Sequence, residues 1–204
     1  MLRPSPFIPP CEPSSRDRLP KGDGWVYEVK LDGYRLQVHK TADTVTLYTR
    51  HGADWTARLP KLAASLRSLP CRSAIIDAEL VHADVFASLH RQAHQPVEND
   101  LALWGFDVMH LDGHDLRIVS LLDRKRRLGY LIQRAGIGHL DYSEPFTNGL
   151  DLFAECEARA FEGVIAKHIN SVYRSGPSSA WIIVKCPTWR EANKNRHELF
   201  KKRK

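Results

Sequence analysis

No apolar run in the 204-residue chain approaches the roughly 18 to 20 residues that cross a bilayer as a helix, so neither a membrane span nor a membrane partner is expected. The opening Met-Leu-Arg-Pro-Ser-Pro-Phe-Ile-Pro-Pro lacks the continuous apolar stretch of a secretory leader, and the expected location is cytoplasmic. Cysteine is scarce. Cys11, Cys71, Cys156 and Cys186 lie far apart with no Cys-x-x-Cys pair, which argues against a zinc ribbon and against a small disulfide scaffold. The ten histidines show no His-Glu-x-x-His spacing, so a transition-metal site is not expected either. Internal repeats and low-complexity tracts are also missing.

What is present is ordinary for a soluble globular domain: 43% hydrophobic and 26% charged residues. The net charge of +6 points weakly to a polyanionic partner. The densest basic blocks are Arg124-Lys125-Arg126-Arg127 and Lys201-Lys202-Arg203-Lys204. Both suit a solvated helix end as well as a contact to a DNA backbone.

Six of the twelve prolines fall in residues 1–20, which read as an extended arm packed on the domain. Strands are expected over Trp25 to Lys30, Tyr34 to Lys40, Val45 to Thr49, Ala74 to Val81, Leu101 to His110, Gly163 to Lys167 and Trp181 to Lys185. The spacing of Leu59, Leu62, Leu66 and Leu69 predicts a helix over Thr56 to Leu69. Further helices are expected over Val85 to His94, Leu121 to Arg134, Gly149 to Ala160 and, at the polar end, Arg190 to Lys204. This mixture of hairpins and helices predicts an α+β domain rather than a doubly wound sheet.

The most informative stretch is Lys30-Leu31-Asp32-Gly33-Tyr34-Arg35. A lysine at a strand end beside a glycine turn can project into a cleft. To act as a nucleophile it must shed a proton, and burial, a metal ion or neighbouring cations would lower its pKa from about 10.4. Glu28 and Arg35 alternate with Lys30 along the strands and can flank the same cleft. Taken alone, the segment reads more readily as an ordinary surface hairpin.

Other motifs follow in order: Thr49-Arg50-His51-Gly52, Ile76-Asp77-Ala78-Glu79-Leu80, Trp104-Gly105-Phe106-Asp107, Glu162-Gly163-Val164-Ile165-Ala166-Lys167 and Trp181-Ile182-Ile183-Val184-Lys185. Each is weak alone, and Phe106 alone would read as a core residue. As an ordered set they resemble the nucleotide-pocket motifs of the covalent nucleotidyltransferases. The context of Lys30 and of Tyr173, Gly176 and Trp181 is most similar to the ligase module of bacterial end-joining DNA ligases.

The resemblance implies a nucleotidyltransferase (DNA ligase adenylation) fold of antiparallel sheets flanked by helices. It also implies a proline-rich arm over 1–20, an adenylation domain over 21–188 and a basic helix or tail over 189–204. Lys30 would attack the α-phosphorus of ATP to form a lysyl-AMP. The AMP would pass to a DNA 5′-phosphate and be displaced by a 3′-hydroxyl, sealing nicks in DNA repair. Glu28 and Phe106 would hold adenine, Arg35 and Arg50 the sugar and phosphates, and Lys167 and Lys185 the reacting phosphate. Glu79, with Glu162, would hold Mg²⁺. The implied partners are nicked or broken double-stranded DNA and other end-joining or repair proteins. An RNA ligase or capping-type enzyme shares the lysine motif, and a non-catalytic repair partner could keep the fold.

Three departures from the family stand out. Ala78 replaces a glycine, and Ile183 replaces the first lysine of the final motif. Too few residues follow Lys185 for the OB-fold domain that usually comes next, so the chain is expected to lack one.

Overall fold

The computed structural model describes residues 7–82 and 101–194. The helix expected over Val85 to His94, the Lys201 to Lys204 block and the start of the arm lie outside the described residues.

Among the described residues, ten strands form two sheets. In the first, β1 (Cys11–Ser15), β10 (Gly176–Lys185), β9 (Gly163–His168) and β2 (Trp25–Lys30) lie in that order. The second runs β4 (Thr44–Thr49), β3 (Tyr34–Thr41), β5 (Ser73–His82), β6 (Leu101–Leu111) and β7 (His114–Asp115), with β8 (Leu140–Tyr142) parallel to β6. Most pairings are antiparallel, and β-branched or aromatic residues fill the strands. The expected arm supplies β1, which pairs parallel with β10.

The helix expected from Thr56 to Leu69 divides into a 3-10 turn (Thr56–Arg58) and α1 (Pro60–Leu66). All four leucines used to predict it are buried. Pro60 falls at its first position, where its missing N–H costs nothing. α2 (Leu121–Ala135) starts at Ser120, whose hydroxyl accepts from Asp123 N–H, and stops at Gly136 in the left-handed conformation. α3 (Gly149–Ala158) is capped by Asn148. The polar end yields only a short α4 (Pro187–Ala192) within the described residues.

The larger core packs the leucine, isoleucine and valine side chains of β3, β4, β5 and β6 against α1 and α2. A second core, with Trp181, Tyr173, Met109 and Leu121, joins the two sheets. A third lies under α3 around Val164, Ala166 and Cys156. Among the described residues no helix is long and apolar enough to cross a membrane.

The basic block Arg124 to Arg127 needs correction. Arg124 and Lys125 are 0% and 1% exposed, and only Arg126 and Arg127 face solvent. In α2 the buried positions are 121, 124, 125, 128, 131 and 132. That is one apolar stripe of a helix, so two of the four cations point into the protein.

Candidate active site

A cavity of about 790 Å³ opens between the sheets, walled by β2, β9 and β10 on one side and β3, β5 and β6 on the other. Glu28, Lys30, Arg35, Arg50, Glu79, Phe106, Glu162, Lys167 and Lys185 all line it. Residues from 28 to 185 converge because β9 pairs with β2 on one edge and β10 on the other.

Directly opposed residues of antiparallel strands share a face, so the floor is built in rows. Lys30, Gly163 and Lys185 form the first, Glu28, Ile165 and Ile183 the second, and Val26, Lys167 and Trp181 the third. Gly163 has φ of +154°, and a Cβ there would lie 2.2 Å from the Val184 carbonyl oxygen. The preceding residue, Glu162, reaches between the two flanking lysines. Glu162 Oε2 accepts from Lys30 Nζ at 2.5 Å, and Oε1 lies 2.7 Å from Lys185 Nζ. The carboxylate is nearly buried, whereas the Lys30 and Lys185 side chains keep 19% and 34% exposure.

Glu28 is 1% exposed. Its Oε2 accepts from the Ser143 hydroxyl at 2.7 Å, and its Oε1 lies 2.9 Å from Lys167 Nζ and 3.0 Å from Lys125 Nζ. Burial alone would raise its pKa, but the two ammonium groups outweigh that and hold the carboxyl below its ordinary value. Lys167 also sits 4.8 Å over the Phe106 ring and 4.3 Å over Trp181.

Phe106 owes its position to a β-bulge. Ala78 pairs with Gly105 and Asp77 with Asp107, leaving Phe106 as the extra residue on β6, where it turns towards the cavity. Its ring meets Trp181 edge to face at 6.2 Å and carries the Arg35 guanidinium at 5.2 Å.

Arg35 is held from behind. It makes a two-pronged ion pair to Asp77 at 2.9 and 2.7 Å and donates to the Cys11 carbonyl at 2.7 Å. Tyr173 hydroxyl donates to the same carboxylate at 2.7 Å. This charge pair raises the Arg35 pKa, although burial opposes it. Arg50 is half exposed at the rim, 3.1 Å from Glu12.

Glu79 stands on β5 opposite Arg35 and accepts the Gly33 N–H at 3.2 Å. Burial pushes its pKa up to about 7, against the pull of Lys30 and Arg35. Gly33 is required here: a Cβ would meet the Leu80 carbonyl oxygen at 2.1 Å. Ile183 lines the cavity between Lys185 and Trp181.

Sequence reasoning gave no positioning role to Asp77, Tyr173, Ser143 or Lys125, which hold the lining groups in place. Two of them carried a signal: Asp77 is a buried acid among the apolar residues of β5, two positions before Glu79, and Lys125 sits on the apolar stripe of α2.

Residues 11–185 match the family model described as the ATP dependent DNA ligase domain. The chain is 36% identical over 186 residues to the multifunctional non-homologous end joining protein LigD of Pseudomonas aeruginosa, covering 88% of this chain and 22% of that protein. It is 34% identical to a probable DNA ligase of Kineococcus radiotolerans, covering 78% of this chain and 33% of that one. Among solved structures, the ligase domain of Mycobacterium tuberculosis LigD superposes with a TM-score of 0.71 at 29% identity, over 86% of this chain and 60% of that one. A mycobacterial DNA ligase D complexed with ATP superposes with a TM-score of 0.65 at 27% identity, over 85% of this chain and 60% of that one. The chain thus spans about a fifth to a third of the length of these curated relatives.

Proposed function

The chain belongs to the ATP-dependent DNA ligase domain family, and on that premise we propose that its cavity is an adenylylation site whose nucleophile is Lys30. The observation that carries this reading is the Lys30–Glu162–Lys185 cluster on the cavity floor. It sets an amine, a proton acceptor and a second cation side by side.

Lys30 Nζ attacks the α-phosphorus of ATP in line with the departing pyrophosphate, and a P–N bond replaces a P–O bond. The ammonium must first lose a proton, and the Glu162 carboxylate at 2.5 Å is positioned to take it. Lys185 faces the extra negative charge of the transition state, a preorganised electrostatic role. Phe106 offers its ring to adenine, and Glu28 accepts a hydrogen bond from the exocyclic amine. Arg35 and Arg50 bind sugar and phosphate oxygens, and Lys167 holds the floor between Glu28 and Phe106. The adenylylated lysine then hands AMP to a DNA 5′-phosphate, and a 3′-hydroxyl displaces it to seal the strand.

Glu79 and Glu162 fit a Mg²⁺ ion, which usually takes one or two protein carboxylates together with phosphate oxygens. Glu79 is the freer donor, since Glu162 is already engaged by two ammonium groups. When bound, the ion would neutralise triphosphate charge and help depress the lysine pKa.

The substrate proposed is nicked or broken duplex DNA, with end-joining or repair proteins as partners, in the cytosol. The four cysteines are unpaired, which suits a reducing compartment. Intact mass after incubation with ATP and Mg²⁺ tests the reading. The wild-type chain should gain one AMP and Lys30→Ala none, with Lys30→Ala still folded. AMP gained by Lys30→Ala would remove Lys30 as the nucleophile.

A further inference from the structure

Lys125 touches the cavity wall from behind on three separate segments. It is 1% exposed. Its ammonium lies 3.0 Å from Glu28 on β2, donates to the Phe106 carbonyl on β6 at 3.3 Å, and donates to the Ser143 carbonyl just after β8. The Tyr142 ring covers it at 4.4 Å. One side chain therefore ties both sheets together where the wall forms. Its neighbour Arg124 grips Asp107 at 2.8 and 2.9 Å. Consecutive residues of α2 thus hold consecutive residues of the β6 bulge, and Phe106 cannot relax away.

Stability alone does not account for a lysine in this place. A well-packed apolar residue would often serve a core as well as a buried ion pair or better. Burial also works against the charge, lowering the Lys125 pKa to about 8 even with Glu28 opposing the shift. What the cation achieves is local. It keeps Glu28 ionised and fixed in rotamer, while Ser143 occupies Oε2. Glu28 Oε1 lies within 3.0 Å of the Lys125 and Lys167 ammonium groups, which hold the carboxylate in place on the cavity wall.

We propose that Lys125 is a positioning residue that fixes Glu28 and Phe106 as a single base-selecting wall, and so sets the preference for a purine bearing an exocyclic amine over one bearing a carbonyl there. The inference rests on the adenylylation reading. A fixed carboxylate accepts from the 6-amino group of adenine and repels the 6-carbonyl oxygen of guanine. Once Lys125 is lost, Glu28 can rotate or protonate, and the discrimination goes with it.

The experiment measures covalent nucleotide transfer on the full chain by intact mass, over a range of ATP and of GTP concentrations with Mg²⁺. Lys125→Met should raise KM for ATP about tenfold, the loss expected for one charge-assisted hydrogen bond, with the saturating rate changed less than about threefold. The ratio of kcat/KM for ATP over GTP should fall about tenfold. Lys125→Gln keeps a donor for the carbonyls of Phe106 and Ser143 and so retains the fold, and it should show the same fall in ratio. A merely structural lysine would lower the melting temperature and the active fraction, leaving KM and the nucleotide ratio unchanged, and that result overturns the proposal. A wild-type chain that takes up neither nucleotide overturns the adenylylation reading itself, and this inference with it.

Discussion

Replacing Glu79 by glutamine should make the protein more stable and less active together. The carboxyl is partly buried on β5, and burial raises its pKa from 4.5 to about 7. Its folded-state pKa lies above the unfolded value. Its contribution to stability is therefore present in full below pH 4.5 and is lost as pH climbs through 7. At 1.36 kcal/mol per unit, holding the ionised form at pH 8.5 costs on the order of 3 kcal/mol, an upper figure because the group keeps some contact with water. Glutamine mimics the protonated acid and keeps an oxygen for the Gly33 N–H. In urea titrations Glu79→Gln should thus be more stable than wild type by about 2 to 3 kcal/mol at pH 8.5 and by well under about 1 kcal/mol at pH 4.5. Near the melting point, the larger gain corresponds to several degrees for a chain of this size. Self-adenylylation at pH 8 should fall, because a hard oxygen donor to Mg²⁺ is gone. A stability difference that does not change with pH, or a variant less stable at pH 8.5, would refute the reasoning.

Ile183→Lys would place an ammonium two residues, about 7 Å, along β10 from Lys185 on the same face of the floor. It should accelerate self-adenylylation, with a ceiling on the order of 2 to 4 kcal/mol for one preorganised charge donor. Slower transfer with a lower melting temperature would show that Ile183 matters for packing instead. Arg124→Met strands the fully buried Asp107 carboxylate and should cost about 3 to 5 kcal/mol in urea unfolding, whereas Arg126→Ala should stay within about 0.5 kcal/mol. Equal costs would contradict the burial assigned to the two halves of that block. Binding to nicked duplex DNA should weaken with salt, and the Arg126→Ala/Arg127→Ala double variant should flatten the log–log slope by about 1.8, or about 0.9 per lost phosphate contact. An unchanged slope takes this block out of the DNA interface.

Local pattern carried much of the fold. The expected strand over Trp25 to Lys30 matches β2 residue for residue, and the helix expected over Leu121 to Arg134 differs from α2 by one residue, because hydrophobic spacing is a short-range effect; the leucine spacing located α1 but not its ends. β1 escaped notice because Cys-Glu-Pro-Ser-Ser has no alternating pattern and is a strand only through its neighbour β10. β8 is three residues long and likewise owes its pairing to β6.

The amino-acid order by itself determined which side chains were available and, through six motifs in sequence, which of them belonged together; every residue assigned to the nucleotide pocket lines the same cavity. It did not reveal what each charge touches. Arg124 to Arg127 is a uniform block on paper, but the helix turns about 100° per residue, so two of its cations enter the core and two meet solvent. Phe106 reaches the cavity through a register shift between β5 and β6, and Lys125 meets Glu28 across 97 residues of chain. Strand register and helix rotation fix such contacts only once the two sheets pack, because an ion pair inside a protein depends on the surroundings that exclude water as much as on its two members.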